Sequence, residues 1–298
     1  MGAKFGQAES VGRLMAQRPG FPLKLDKATP APRTLKTDPV AKLKTVAPVS
    51  TQAAVVAKPA PSKALVSAGA KTPAAKVATP TQGLGLDSSA VRQRMVQKLA
   101  AQGLKDAMVL QAMETVERHR FVESALVTQA YEDTSLPIGL GQTISKPNVV
   151  ARMIELLREG VDGKLGRVLE IGTGCGYQAA VLSHVATEVY SIERLKGLHE
   201  KARANLRHFR LANVHLLFGD GMLGYPKGAP YAAIISAAGG ESVPQAWLDQ
   251  LAVGGRLVAP TVTASGQQAL LVIDKTQQGF KQSVLEAVHF VPLKSGVS

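Results

Sequence analysis

The 298-residue chain has one cysteine, Cys175, one tryptophan and few aromatic residues of any kind. A single cysteine excludes an internal disulfide framework and suits a reducing compartment. No run of 18 apolar residues occurs, so no transmembrane helix is expected. No apolar stretch of secretory length follows Met1, so export is not expected either, and the sequence suggests the cytoplasm. Acidic residues are scarce at the front. Residues 1–86 hold thirteen Lys and Arg against three Asp and Glu, a net +10 of the whole chain's +13. The basic character therefore belongs to this segment. Ten of the seventeen prolines lie there, and its only aromatics are Phe5 and Phe21. Such a stretch cannot bury enough apolar area to offset an ordering entropy of roughly 1–2 kcal/mol per residue. It reads as a disordered, basic, Ala/Pro/Lys-rich extension. Three roles fit it: a solvated linker, a weak contact with nucleic acid or an acidic surface, since clustered Lys releases phosphate counterions, or an organelle transit peptide, although its first twenty residues lack the expected Arg and Ser.

Gly83-Leu84-Gly85-Leu86-Asp87-Ser88 marks the start of a folded domain expected over 87–298. Asp87 or Ser88 can cap a helix reaching about Gln102, with Val91, Met95, Val96 and Leu99 on one face and Gly103 as its stop. A second helix is expected from about Asp106. These helices and the loop after them, 87–146, make a small N-terminal helical subdomain. Beyond it, apolar strands at about 167–171, 187–192, 214–218, 231–236, 255–260, 268–274 and 283–290 alternate with helices at about 147–158, 176–185, 194–210 and 243–250. The alternation predicts an α/β domain over 147–298 with a seven-stranded, mostly parallel sheet. With no long helix after residue 260, the sheet should end in an antiparallel C-terminal hairpin.

Arg167-Val168-Leu169-Glu170-Ile171 runs into Gly172-Thr173-Gly174-Cys175-Gly176 and then a helix. Glycines here permit positive φ and let a ligand approach the backbone without a Cβ in the way, while the first helical amides face it. A glycine loop alone does not separate one nucleotide cofactor from another. The spacing is G-x-G-x-G, one residue short of the dinucleotide fingerprint G-x-G-x-x-G. Glu193 ends the next strand, twenty-one residues after Gly172. There a carboxylate can accept hydrogen bonds from ribose hydroxyls; capping the following helix is its plain alternative. Asp220, between Gly219 and Gly221, either meets an adenine edge or makes an ordinary turn. Cys175 at a helix start invites a nucleophile reading, but no His is placed beside it and the position needs only a small side chain. His119, between Arg118 and Arg120, reads as structural.

The stretch Glu170-Ile171-Gly172-Thr173-Gly174-Cys175-Gly176-Tyr177-Gln178 resembles motif I of the protein-L-isoaspartate O-methyltransferases. Leu136-Pro137-Ile138-Gly139-Leu140-Gly141-Gln142-Thr143-Ile144-Ser145-Lys146-Pro147 resembles the same family's signature loop, which generic methyltransferases lack. Arg118-His119-Arg120-Phe121-Val122, Gly219-Asp220-Gly221 and Phe290-Val291-Pro292-Leu293 are similar too, so the resemblance covers roughly 88–294. It implies a Rossmann-like class I methyltransferase fold. It also implies transfer of a methyl group from S-adenosylmethionine to the α-carboxylate of L-isoaspartyl residues in damaged proteins or peptides. S-adenosylhomocysteine would be the product, no metal would be needed, and a monomer is the expected state. Residue by residue, it implies that Ser145 is the active-site serine and that Gln142, Thr143 and Ile144 line the same site against the cofactor. Gly172, Gly174 and Gly176 would wrap the cofactor's methionine part, Glu170 and Thr173 would also bind the cofactor, Glu193 would hold the ribose, Asp220 and Gly221 the adenine, and Gln268 would lie near the cofactor. The chain departs from the family pattern at Glu117, often proline in relatives, at Ala232, often aspartate, and at Cys175, commonly serine.

This chemistry asks little of a base. An α-carboxylate titrates near about 3.5 and is ionised at neutral pH. Orientation is the main task, and a neutral hydroxyl at Ser145 can donate one hydrogen bond to the carboxylate without quenching it. Ser145 also stands where a cap would serve a helix starting at Pro147. The competing functions are methyl transfer to nucleic acid or a small molecule, NAD-dependent hydride transfer, and non-enzymatic nucleic-acid binding through the basic segment.

Overall fold

The computed structural model describes residues 89–298. The expected disordered extension 1–86, its nucleic-acid or acidic-surface contact, and the cap at Asp87 or Ser88 lie outside the described residues.

Helix α1 (Ser89–Ala101) packs on α2 (Ala107–Thr115), burying Met95 and Leu99 against Val109, Ala112 and Met113. Asp106 caps α2: its carboxylate accepts the Val109 amide hydrogen at 3.0 Å, satisfying one of the unpaired first-turn donors. Two 3-10 turns, Arg118–Phe121 and Ser124–Gln129, lead to a small antiparallel hairpin of β1 (Leu136–Gly139) and β2 (Gln142–Ile144). Apolar periodicity does not announce this hairpin, because strands of three and four residues are too short to carry one. Its turn is set by Gly139, Leu140 and Gly141, all at positive φ. Helix α3 (Pro147–Arg158) follows, with proline in its first turn, where no amide hydrogen is needed.

The sheet then alternates with helices: β3 (Leu165–Ile171), α4 (Tyr177–Val185), β4 (Ala186–Glu193), α5 (Lys196–Leu206), β5 (Val214–Phe218), β6 (Tyr231–Ser236), α6 (Gln245–Gln250), β7 (Leu251–Val262), β8 (Gln268–Thr276) and β9 (Gly279–Ala287). The strand order is β5-β4-β3-β6-β7-β8-β9. The first five are parallel, while β8 and β9 are antiparallel, as the expected hairpin requires. Parallel strands covered on both faces bury both sets of alternating side chains. Val168, Ala233 and Ile235 enter the core beneath α2, α3 and α4, whereas Leu169, Ile171 and Ile234 pack against Trp247 of α6 on the other face. The chain winds outward from β3 to β4 and β5, then returns to the other side of β3 with β6. The reversal opens a crevice at the carboxyl ends of the strands.

Boundaries differ most from expectation in three places. Strand β7 begins at Leu251 rather than 255, across an irregular register around Gly254, whose φ is +83. The last strand is Gly279–Ala287 rather than 283–290; it is an edge strand exposed along most of its length, so no apolar alternation marks it. The helix expected over 194–210 stops at Leu206 and tightens into a 3-10 turn ended by Arg210 in the left-handed region. Among the described residues no helix is long and apolar enough to cross a membrane.

Candidate active site

Ile171 ends β3 next to Ala237, which follows β6 and donates its amide hydrogen to the Ile171 carbonyl at 2.8 Å. The loop then turns through Gly172, Gly174 and Gly176, at φ +88, +57 and +92. The three glycines have different reasons. Gly172 and Gly174 face a cavity of about 380 Å³, within the range of roughly 300–1,000 Å³ typical of small-molecule sites. A Cβ on Gly174 would stand 3.3 Å from Ile138 and project among the groups lining that cavity. Gly176 does not line it; a Cβ there would lie 3.0 Å from Leu206, so this glycine lets α4 start against the end of α5.

Glu193 at the tip of β4 faces the same cavity, with only 4% of its surface exposed. One carboxylate oxygen accepts the Gly174 amide hydrogen at 2.9 Å and the other accepts that of Leu195 at 2.9 Å. Both oxygens keep a further lone pair for a ligand hydroxyl. Gly221 lines the cavity beyond it, wedged so that a Cβ would meet Ile171 at 2.6 Å. Asp220 just before it accepts the Met222 and Gly296 amide hydrogens at 2.9 and 2.6 Å.

A second cavity of about 290 Å³ adjoins the first. Ser145, Lys146, Ser135 and Phe290 line it, and Thr143, Ala237 and Val291 line both. Ser145 is half-buried, and its hydroxyl has no hydrogen-bond partner among the described residues. It does not cap α3: the cap position is Lys146, whose side chain makes no capping bond, and Asp133 Oδ1 accepts the first-turn amide hydrogen of Asn148 at 2.9 Å. The Ser145 hydroxyl is thus left to the cavity.

Beneath the glycine loop lies a buried polar chain. Thr173 Oγ1 and Ser191 Oγ are hydrogen-bonded at 2.6 Å, and Ser191 donates to the Glu170 carboxyl. Burial away from water raises the Glu170 pKa from its ordinary 4.5 to about 8, opposed by Ser191 and Gln178 and reinforced by nearby Glu193. Burial also pushes the Cys175 thiol up to about 11, which removes thiolate character at neutral pH. Farther out, buried Arg118 donates to the carbonyls of Ala130 and Thr134 at 2.8 and 3.3 Å and stacks over Tyr177. It thereby fixes the segment that leads into the β1–β2 hairpin.

The structure thus brings Gln142, Thr143, Gly172, Gly174, Glu193 and Gly221 around one cavity and Ser145 into its neighbour. Five residues expected at the cofactor land elsewhere, each for a local reason. Ile144 points into the core by strand alternation. Glu170 and Thr173 turn inward to each other's partner, Ser191. Gly176 serves helix packing. Gln268 exchanges hydrogen bonds with the Phe290 backbone, at 2.7 and 3.2 Å, and so holds the segment after β9 rather than touching the cavity. Asp220 stands at the edge, next to Gly221. The sequence reading gave no role to Ile138, Leu140, Leu195, Ala237, Ala238 or Val291–Lys294, which complete the walls. Of these, Ile138 and Leu140 carried a signal within the signature loop, and Val291, Pro292 and Leu293 within the family-like ending.

A parallel sheet with an antiparallel closing hairpin, a glycine loop after its first strand and an acid at the tip of the next define a class I methyltransferase domain. The profile of the protein-L-isoaspartate(D-aspartate) O-methyltransferases matches residues 90–298, and the chain belongs to that family. Protein-L-isoaspartate O-methyltransferase of Methylibium petroleiphilum is 60% identical over 221 residues, covering 73% of this chain and 82% of that protein. The one from Leptothrix cholodnii is 60% identical over 219 residues, covering 72% and 77%. Among solved structures, a protein-L-isoaspartate O-methyltransferase superposes with a TM-score of 0.63 at 29% identity, covering 69% of this chain and 67% of that one. A Plasmodium falciparum β-aspartate methyltransferase in complex with S-adenosyl-L-homocysteine shares the fold, with a TM-score of 0.60 at 23% identity, covering 68% and 98%.

Proposed function

We propose that the two adjoining cavities divide the reaction between them, the larger taking S-adenosylmethionine and the smaller an isoaspartyl residue of a protein. The activity is that of the family, methyl transfer to L-isoaspartyl residues of damaged proteins. One observation carries the division of labour: Thr143, Ala237 and Val291 are common walls, so ligands in the two cavities would meet there.

The larger cavity suits a nucleoside with an amino-acid arm. Gly172 and Gly174 keep its floor free of Cβ atoms, Glu193 offers lone pairs for ribose hydroxyls, and Gly221 with Asp220 offers an edge for an amino-substituted base. The bound cofactor supplies an activated methyl group on a sulfonium. Ser145 donates a hydrogen bond to one oxygen of the substrate carboxylate and leaves the other to face the common wall. No base is called for, because that carboxylate is already ionised. The hairpin side chains Gln142 and Thr143 shield the meeting point from water, which strengthens every charge interaction inside. A chain whose sole cysteine is a buried thiol suits the cytoplasm.

The test is transfer of labelled methyl from S-adenosylmethionine to a synthetic L-isoaspartyl peptide, beside the same peptide with normal aspartate. Label on the isoaspartyl peptide alone is expected. Equal label on both, or none on either, would reject the assignment of the smaller cavity.

A further inference from the structure

We propose that Val291–Ser298 is itself part of the cofactor site, a strap that closes its adenine end and holds the Asp220 carboxylate in place. The proposal rests on assigning the larger cavity to the cofactor. After β9 the chain doubles back over the carboxyl edge of the sheet. Gly239, beyond the tip of β6, anchors one end: its amide donates to the Val291 carbonyl at 2.9 Å, and its carbonyl accepts the Leu293 amide hydrogen at 2.8 Å. The residues after β4 anchor the other. The Ser298 amide donates to the Arg194 carbonyl at 2.9 Å, and the Lys196 amide donates to the Ser298 carbonyl at 2.8 Å. The Arg194 guanidinium donates to the Gly296 carbonyl at 2.9 Å. Between these anchors Val291, Pro292, Leu293 and Lys294 form cavity wall.

At the outer end of that wall, the Gly296 amide donates to Asp220 Oδ2 at 2.6 Å, while Met222 donates to Oδ1 at 2.9 Å. Two main-chain donors thus fix the carboxylate before any ligand arrives, which lowers the ordering cost of binding. Each oxygen has two acceptor sites, so Oδ2 can still take an exocyclic amine. Gly296 reaches Asp220 at φ +74, a conformation that favours glycine. A ligand seated behind such a strap leaves only when the strap opens, so the anchors should control its release rate.

The experiment uses the full chain with Gly296→Pro and Ser298→Pro. Proline has no amide hydrogen and fixes φ near −65°. The first variant therefore removes the bond to Asp220 together with the positive φ that presents it, and the second removes one bond of the outer anchor, that from the Ser298 amide to the Arg194 carbonyl. Kd and dissociation rate for S-adenosylhomocysteine are measured by calorimetry and stopped flow, with ligand-free melting as the folding control. Gly296→Pro should weaken binding about tenfold, as for loss of a hydrogen bond to a charged group. It should also release the ligand faster, while Ser298→Pro does the same to a smaller degree. Equal or tighter binding by a well-folded Gly296→Pro overturns the strap. If that variant does not fold, an unchanged dissociation rate in Ser298→Pro overturns it. A wild-type chain that binds no S-adenosylhomocysteine would instead overturn the assignment of the cavity.

Discussion

The two cavities at the carboxyl edge are walled by different materials. The larger is formed in good part by main chain: three glycines at positive φ, the wedged Gly221, and amides that already hold Glu193 and Asp220. The smaller presents side chains, Ser135, Ser145, Lys146 and Phe290, set on the end of a short hairpin and on the segment after β9. A ligand in the first meets groups that parallel-sheet geometry fixes wherever the glycine pattern occurs. A ligand in the second meets groups that this hairpin and this C-terminal segment must bring. The difference predicts which substitutions alter turnover, which alter cofactor affinity and which alter only stability.

The largest effect is expected from the side-chain cavity. Ser145→Ala removes a hydroxyl with no partner among the described residues and no capping role, so its stability cost should stay within about 0.5 kcal/mol. Loss of a hydrogen bond to a charged carboxylate is worth roughly 1.5–3 kcal/mol, a drop in kcat of roughly 10- to 150-fold. Affinity for S-adenosylhomocysteine should not change, since Ser145 does not line the larger cavity. Steady-state kinetics with calorimetry checks both halves. Wild-type turnover in this variant would reduce Ser145 to a loop residue and erase the contrast between the cavities.

The main-chain cavity is tested by setting two glycines against each other. Alanine at Gly174 must hold φ near +57, at a cost of roughly 1–2 kcal/mol, and puts a methyl among the cavity-lining groups beside Ile138. Cofactor KM should rise about tenfold, as about 1.4 kcal/mol of lost binding would give. Alanine at Gly176 must also hold a positive φ, near +92, but it meets Leu206 at 3.0 Å and touches no cavity. It should lower the melting temperature by several degrees, as overpacking of about 1–3 kcal/mol does, and leave cofactor KM near wild type. If Gly176→Ala raised KM as much as Gly174→Ala at unchanged melting, all three glycines would face the ligand.

That pair also marks what the sequence discloses. The G-x-G-x-G spacing, the acid after the second sheet strand and the Gly-Asp-Gly turn locate the larger cavity, because main-chain sites need glycine and glycine is visible in a sequence. The same pattern cannot tell a ligand glycine from a packing glycine. The distinction lies in Leu206, thirty residues beyond Gly176 and brought near only by the fold. Glu170 and Thr173 were read toward the ligand for the same reason: the motif marks them, but the Ser191 hydroxyl that turns them inward sits on a neighbouring strand. The sheet itself was legible, since buried parallel strands are continuous apolar runs. The exposed edge strand β9 was misplaced because it carries no such run. Ser145 is singled out as an active-site residue by family resemblance alone; local physics reads it as a helix cap, and the bond that would make it one does not form.

The smallest effect on turnover should come from below the main-chain cavity, where Glu170 sits without access to water. Burial raises its pKa from 4.5 to about 8, so between those values the folded protein holds a proton that the unfolded chain has lost. Stability then falls as pH rises, with a slope set by the difference in bound protons. For one group the limit is about 1.4 kcal/mol per pH unit. Below pH 4.5 both states are protonated, and above about 8 both are ionised, so the loss is confined to that window. Glu170→Gln keeps an oxygen for the Ser191 hydroxyl and carries no titrating proton. Chemical denaturation at intervals from pH 5 to 8 should give a steeper decline for wild type than for the variant, because every other group titrates alike in both. The glycine loop rests on this chain through Thr173, so the wild type should also lose cofactor affinity toward pH 8 more than Glu170→Gln does. Parallel stability profiles would mean that Glu170 is already ionised inside the fold. The carboxylate would then be paired by a donor such as Gln178, and the main-chain cavity would stand on a fixed charge instead of a proton.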